Sequence, residues 1–165
     1  MKKLSVLLVS FISLIFLSNA FAINGKIGVV DSQKISTSPK AVQLQKSLQE
    51  QFEPKWVKIT EKQKTLHEMA AKMKRDNTIM RDSDKQSLQN KMTNTQKELV
   101  SMMDDFKKKF AQAQQSMTES FMADVKKAVA KVAKKNQLDF VVPKDFVLYA
   151  QNEMDITAQV EKILK

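Results

Sequence analysis

The chain has 165 residues and a formal charge of +10, with no cysteine, one histidine, two glycines and three prolines. Zero cysteine excludes a disulfide scaffold, thiolate zinc sites and cysteine nucleophiles. The single His67 argues against a His-based metal site or a Ser-His pair, and two glycines leave little room for a phosphate loop or a many-turned β-sandwich. Scarce Gly and Pro beside abundant Lys, Gln, Met, Ala and Leu favour long helices in a single domain of ordinary size.

Residues 1–22 read as a secretory signal peptide. Lys2-Lys3 opens a basic start, Leu4 to Leu17 is an apolar run of 14 residues, and Asn19-Ala20-Phe21-Ala22 supplies a small-x-small cleavage pattern, with the cut expected after Ala22. Fourteen residues fall short of the ~20 that span a bilayer. No cysteine follows the run, which disfavours a lipid anchor. Export also disposes of nucleic acid as the partner of a basic protein. Lipid head groups, lipopolysaccharide phosphates and acidic polypeptides remain.

Lys26-Ile27-Gly28-Val29-Val30-Asp31 is short, β-branched and bounded by polar residues, so it reads as a buried strand. Ser38-Pro39 then places an N-cap before a proline in the first helical turn. Apolar residues recur at steps of mostly three and four from Ala41 through Leu44, Leu48, Phe52, Trp56 and Ile59 to Met73 and Met80, an amphipathic helix. Pro54 sits inside it and predicts a kink or a break. Arg81-Asp82-Ser83-Asp84 interrupts the stripe, and Asp82 or Ser83 is the expected cap of a second helix running to about Asn136. Leu88, Leu99, Phe110, Phe121 and Val132 lie 11 apart along it, a spacing of ~3.67 residues per turn that gives a nearly straight or slightly right-handed supercoil. Residues 39–136 thus read as an antiparallel helical hairpin with its tip near 81–84. At ~1.5 Å per residue such a hairpin must project as an arm.

The chain closes with two strand-like runs, Leu138–Pro143 and Phe146–Ala150, expected as a β-hairpin across Lys144-Asp145. Asp155 is the expected cap of a terminal helix carrying Ile156, Val160, Ile163 and Leu164 on one side. Residues 23–38 and 137–165 together build a small β-rich body, near the lower limit at which a core sustains itself. Its strands carry few charges to guard their edges, so association is the natural remedy. Ile27, Val29, Phe140, Val142, Leu148 and Tyr149 are the expected core or inter-subunit residues. The fold class is α+β, a β-rich assembly body with a coiled-coil-like arm.

Charge and methionine single out the arm. Residues 39–136 carry a net charge of +9, whereas the rest of the exported chain carries −1. Lysines solvate and support long exposed helices; they also draw acidic partners and speed encounter. Lys107-Lys108-Lys109 is the densest run. Eight of ten methionines lie between Met69 and Met122. Most fit a seam between two helices. Met102 beside Met103, and Met122 beside Phe121, cannot all face one narrow seam, and so mark a second, partner-facing surface. Met73, Met80 and Met92 are further apolar candidates towards the tip.

Lys26 to Asp31 directly after a signal peptide resembles the opening strand of the Skp (OmpH-like) periplasmic chaperones. Asp139-Phe140-Val141-Val142, Val147-Leu148-Tyr149-Ala150 and Asp155-Ile156-Thr157-Ala158-Gln159-Val160 resemble that family's closing strands and terminal helix. The resemblance implies a homotrimer whose helical tentacles enclose unfolded outer-membrane proteins in the periplasm, without ATP, cofactor or catalysis. Lipopolysaccharide binding has been attributed to the family, but no basic motif for it matches here. The residues agree on the absence of catalysis. His67 is a solvated helix position, and Asp104 and Asp105 point about 100° apart on their helix and cannot easily share a metal. A coiled-coil envelope spacer is the alternative, but Gln63, Thr95 and Gln96 weaken the seam such a spacer needs.

Overall fold

The computed structural model describes residues 25–165. The expected signal peptide and its cleavage point lie outside them. The elements in chain order are β1 (Ile27–Val30), α1 (Ser32–Ser36), α2 (Pro39–Asp76), α3 (Asp82–Asn136), β2 (Phe140–Pro143) and α4 (Thr157–Leu164), with single 3₁₀ turns at Lys144–Phe146 and Asn152–Met154. Among the described residues no helix is long and apolar enough to cross a membrane.

Two helices and their connection make the arm. Ser38 caps α2, its hydroxyl accepting the Ala41 N–H at 3.4 Å, with Pro39 in the first turn. Helix α2 continues unbroken through Pro54, so of the expected kink or break the break does not occur. Proline removes one N–H, but the residue is exposed, so the freed carbonyl side faces solvent rather than the seam. The link falls at 77–81, a few residues before the expected tip. Asp76 ends α2 by accepting the N–H groups of Ile79 and Met80 with its carbonyl, both at 3.0 Å. The cap of α3 is Arg81, whose side chain makes no capping bond; Asp82 and Asp84 instead occupy the first helical turn, where carboxylates favour the positive end of the helix dipole.

At its far end α3 finishes in a Schellman turn. Gln137 adopts φ 56°, the Leu138 N–H reaches the Ala133 carbonyl at 2.9 Å, and the Gln137 N–H reaches that of Lys134 at 3.3 Å. This turn drops the chain into β2 alongside β1. The two strands pair in parallel, Ile27 opposite Phe140 and Val29 opposite Val142. A parallel pair needs a long crossover, and here the crossover is the whole arm. Val29 is flanked on its other side by Asp155, with the Ile156 N–H donating to the Val29 carbonyl at 2.9 Å.

The body's core is Ile35, Ala128, Val132, Ile156, Val160 and Leu164, with Val30, Phe121, Val125, Val129, Leu138 and Val141 packed around it. The last turns of α3 therefore belong to the body as much as to the arm. That shared helix enlarges a core which the chain ends alone would leave small. Gly28 is buried, and a Cβ there would stand 2.6 Å from Leu138 Cδ1, so Leu138 would have to shift for any larger residue. Thr157, also buried, accepts the Asp31 N–H at 2.8 Å, and no buried side-chain polar atom among the described residues lacks a partner.

Three expectations about the closing segment need correction. Residues 146–150 form no strand and no hairpin with β2. Pro143 leads into a 3₁₀ turn, and the chain then runs without a ladder partner to Gln151. The cap position of α4 is Ile156 rather than Asp155. Asp155 still serves the helix start, its Oδ1 accepting the Thr157 N–H at 2.9 Å. Ile163 is exposed, off the buried side formed by Ile156, Val160 and Leu164.

Candidate functional site

Helices α2 and α3 meet along a seam that is well closed at only a few points. Leu48, Phe52, Ile59 and Leu99 are its buried residues. Between the body and the middle of the arm the helices leave a cleft of about 600 Å³. The reason lies in the side chains. Phe52 stands edge-on to both Phe106 and Phe110, at centroid distances of 5.8 and 5.2 Å, while Phe106 and Phe110 lie nearly parallel 5.8 Å apart. Trp56 tilts against Phe106 at 5.6 Å. Edge-to-face contact satisfies the rings' quadrupoles without close interdigitation, and short Ala41 on the α2 wall leaves room unfilled. Phe106, Phe110 and Phe121 are half-buried and Trp56 is exposed. Gln45, Gln49 and Gln114 border the opening.

Charge surrounds this apolar trough. Lys55 Nζ stands 5.1 Å from the Phe52 ring centroid, a cation–π distance. The Lys109 hydrogen bond holds the Asp105 carboxyl below its ordinary pKa, with Lys55 and Lys108 adding to the pull. Nearer the tip, Lys62 pairs with Glu98 across the seam, beside a smaller hollow that Met102 helps to line.

The methionine candidates are dispersed. Met73, Met80, Met92 and Met102 are half-buried, as seam residues of a narrow hairpin are, and Met122 is 46% exposed. No single patch gathers them. Lys107, Lys108 and Lys109 are all exposed, with Lys109 engaged to Asp105 at 2.8 Å. The sequence reading did not single out the aromatic cleft. Its signal was present, because five of the eight aromatics after residue 22 fall on the arm, at 52, 56, 106, 110 and 121.

The six body candidates divide. Val29 lies in the core of the chain itself, 1% exposed, and Val142 is half-buried. Ile27, Phe140, Leu148 and Tyr149 are exposed, so within one chain they are not core. Phe146 is exposed as well, so the ladderless 146–150 segment carries three exposed apolar side chains, Phe146, Leu148 and Tyr149. Asp155 faces Lys144 at 3.6 Å, and Thr157, ahead of Lys144, holds its carboxyl below the ordinary range. Among the described residues no group of three metal-ligating side chains comes together.

The family described as Outer membrane protein (OmpH-like) matches residues 26–164, the arm and the body together. The chain belongs to the OmpH-like family. It is similar to the chaperone protein Skp of Yersinia enterocolitica, with 26% identity over 141 residues covering 85% of this chain and 86% of that one. The fold also resembles the crystal structure of a candidate outer membrane chaperone (OmpH-like) from Caulobacter crescentus. That comparison has a TM-score of 0.73 and 13% identity, and covers 85% and 83% of the two chains. The Skp-like members of the family are chaperones and not enzymes, in keeping with a chain whose notable surfaces are apolar and basic rather than catalytic.

Proposed function

We propose that the protein is an ATP-independent periplasmic holdase that binds unfolded outer-membrane proteins and keeps them soluble on their way to the outer membrane. The observation that carries this reading is the open, aromatic and methionine-lined seam of an arm that is otherwise basic. A helical spacer gains nothing from leaving a 600 Å³ apolar cleft unfilled, whereas a chain that holds non-native segments needs apolar surface in water. Similarity to a Skp chaperone supports the same client class. The expected signal peptide supports the location.

Assembly belongs to the proposal. The exposed Phe146, Leu148 and Tyr149, and the exposed Ile27 and Phe140 of the strand pair, are covered in a homotrimer of bodies, and three arms then face a common space. The trimer number comes from the family resemblance. Anionic lipid or lipopolysaccharide is a second partner class that the arm's charge fits. The deciding experiment dilutes a urea-unfolded outer-membrane barrel into buffer with the exported form of the protein and no nucleotide. Suppressed light scattering at near-stoichiometric protein supports the holdase; scattering equal to the barrel alone refutes it.

A further inference from the structure

We propose that the cleft between α2 and α3 is a discrete subsite for a single aromatic side chain, borne on an extended segment of non-native polypeptide with acidic neighbours. The inference rests on the holdase reading and adds what the cleft selects. Its volume, about 600 Å³, falls within the ~300–1,000 Å³ of small-ligand pockets, so it suits a side chain with its adjoining backbone rather than a folded surface.

Three features define the guest. The first is ring geometry. Phe106 and Phe110 lie parallel, the buried Phe52 stands perpendicular to both, and Trp56 tilts against Phe106, so another ring entering from the open side can stack on, or stand edge-on to, the half-buried Phe106 and Phe110 and the exposed Trp56. The second is the border of Gln45, Gln49 and Gln114. Carboxamides both donate and accept, which matches the alternating N–H and C=O groups of an extended backbone; an acyl tail offers neither. The third is charge. Lys55 overhangs the Phe52 ring, and with Lys108 it lies close enough to pull on the Asp105 carboxyl. Among the described residues neither lysine has a carboxylate at ion-pair distance. Glu53 lines the cleft as well, so Lys55, Lys108 and Glu53 leave one net positive charge around the apolar slot, which favours acidic over basic neighbours for the bound ring.

Trp56 makes the test direct, because it lies in the cleft wall and is the chain's single tryptophan. Its emission is followed in the exported form of the protein while a short Gly/Ser peptide with one central Phe between glutamates is added. A saturable shift is expected. Replacing the peptide's Phe by Ser should abolish it, and replacing its glutamates by lysines should weaken the midpoint about tenfold at low salt. Gln114→Phe adds a ring at the opening without removing a packed group, and should also weaken the midpoint at least tenfold while helix content is unchanged. Equal response to the Phe and Ser peptides, or an undiminished response in Gln114→Phe, overturns the proposal. So does a response to sub-micellar laurate with none to the Phe peptide, which would make the cleft an acyl site. Barrel aggregation is scored in parallel. Suppressed aggregation without peptide binding removes the subsite and leaves the holdase; peptide binding without suppression keeps the subsite and removes the holdase.

Discussion

Val160 in the body is 0% exposed, while Trp56 in the arm, a far larger apolar side chain, is half in solvent. The two regions draw on the same helix, α3, and use it in opposite ways. Towards its C-terminal end Ala128 and Val132 are sealed under β1, α1 and α4; towards its middle Phe106 and Phe110 stand in an open cleft. The body's polar groups are fixed by specific bonds, Thr157 to the Asp31 N–H and Asp155 to Thr157. The arm's ion pairs are mostly exposed i,i+3 and i,i+4 contacts of little individual worth. The contrast teaches that stability is concentrated where the chain ends meet, which leaves the arm free to keep apolar surface uncovered.

The largest test separates fold from assembly within the body. Val29→Asp places an unpaired charge between β2 and the Asp155 strand position, at a cost of several kcal/mol. Both the thermal transition and the oligomer should be lost. Tyr149→Ser changes a residue that is 83% exposed in the single chain, so the transition of the monomer should survive while sedimentation shows the oligomer weakened. If Tyr149→Ser leaves assembly untouched at low micromolar protein, the 146–150 segment is not the interface.

The next test shortens the arm. Lys62 faces Glu98 across the seam, which sets the pairing. Removing residues 64–74 together with 86–96 therefore takes three turns from each helix in phase and shortens the arm by about 16 Å. Met69, Met73 and Met92 go with it. The body's transition should hold to within ~0.5 kcal/mol, because no removed residue touches its core. Client protection in the scattering assay should fall at least about twofold with the lost apolar lining. Undiminished protection would favour the spacer, and a lost oligomer would make the arms the assembly element.

A smaller effect probes the polar contacts of Asp155. Asp155 has its pKa lowered mainly by the hydrogen bonds from Thr157, with Lys144 adding attraction. A lowered folded value means that its contribution is present above the ordinary carboxylate pKa and is lost as pH falls through that value towards the folded one. Asp155→Ala should cost about 1–2 kcal/mol at neutral pH, the usual worth of a helix-start acceptor. The difference from wild type should narrow as pH falls below the ordinary carboxylate value, where the unfolded chain takes up the proton first and the folded carboxylate only follows at lower pH. Denaturant melts at pH 7 and pH 3 read it; a gap that persists unchanged at the lower pH would show that lost packing, not charge, is responsible.

The sequence made the helices legible because their signals are local and repeated. The 11-residue series from Leu88 to Val132 is buried or half-buried throughout, as its spacing requires, and Ser38-Pro39 starts α2. Pro54 does not break α2 because the rule for proline describes a cost, and a long helix pinned by Phe52 and Ile59 on either side bears it. Phe146–Ala150 did mislead. Its residues favour strands, but β propensity is realised only against a partner, and within one chain β1 is already flanked by β2 and Asp155. The cleft was hidden because an amphipathic stripe shows which residues face the seam, not how closely edge-on rings interdigitate there.

The smallest expected effect concerns the arm's charge, and it bears on whether the basic excess serves encounter or only solvation. Lys107, Lys108 and Lys109 are exposed, and Lys109 is already engaged by Asp105. Replacing all three by glutamine keeps good helix formers, so helix content should not change. Attraction between exposed charges fades as the screening length drops from ~10 Å at 0.1 M salt to ~3 Å at 1 M. Association with an acidic unfolded barrel, followed by stopped flow, should therefore slow with salt in the wild type. In the triple variant it should start about two- to threefold slower and respond less steeply, while dissociation, governed by apolar contact, changes little. Because Lys109 is paired, most of the loss should reside in Lys107 and Lys108, and Lys109→Gln alone should be nearly silent. Association indifferent to both salt and the triple substitution would assign these lysines to solvation alone, and would leave the open seam to account for binding unaided.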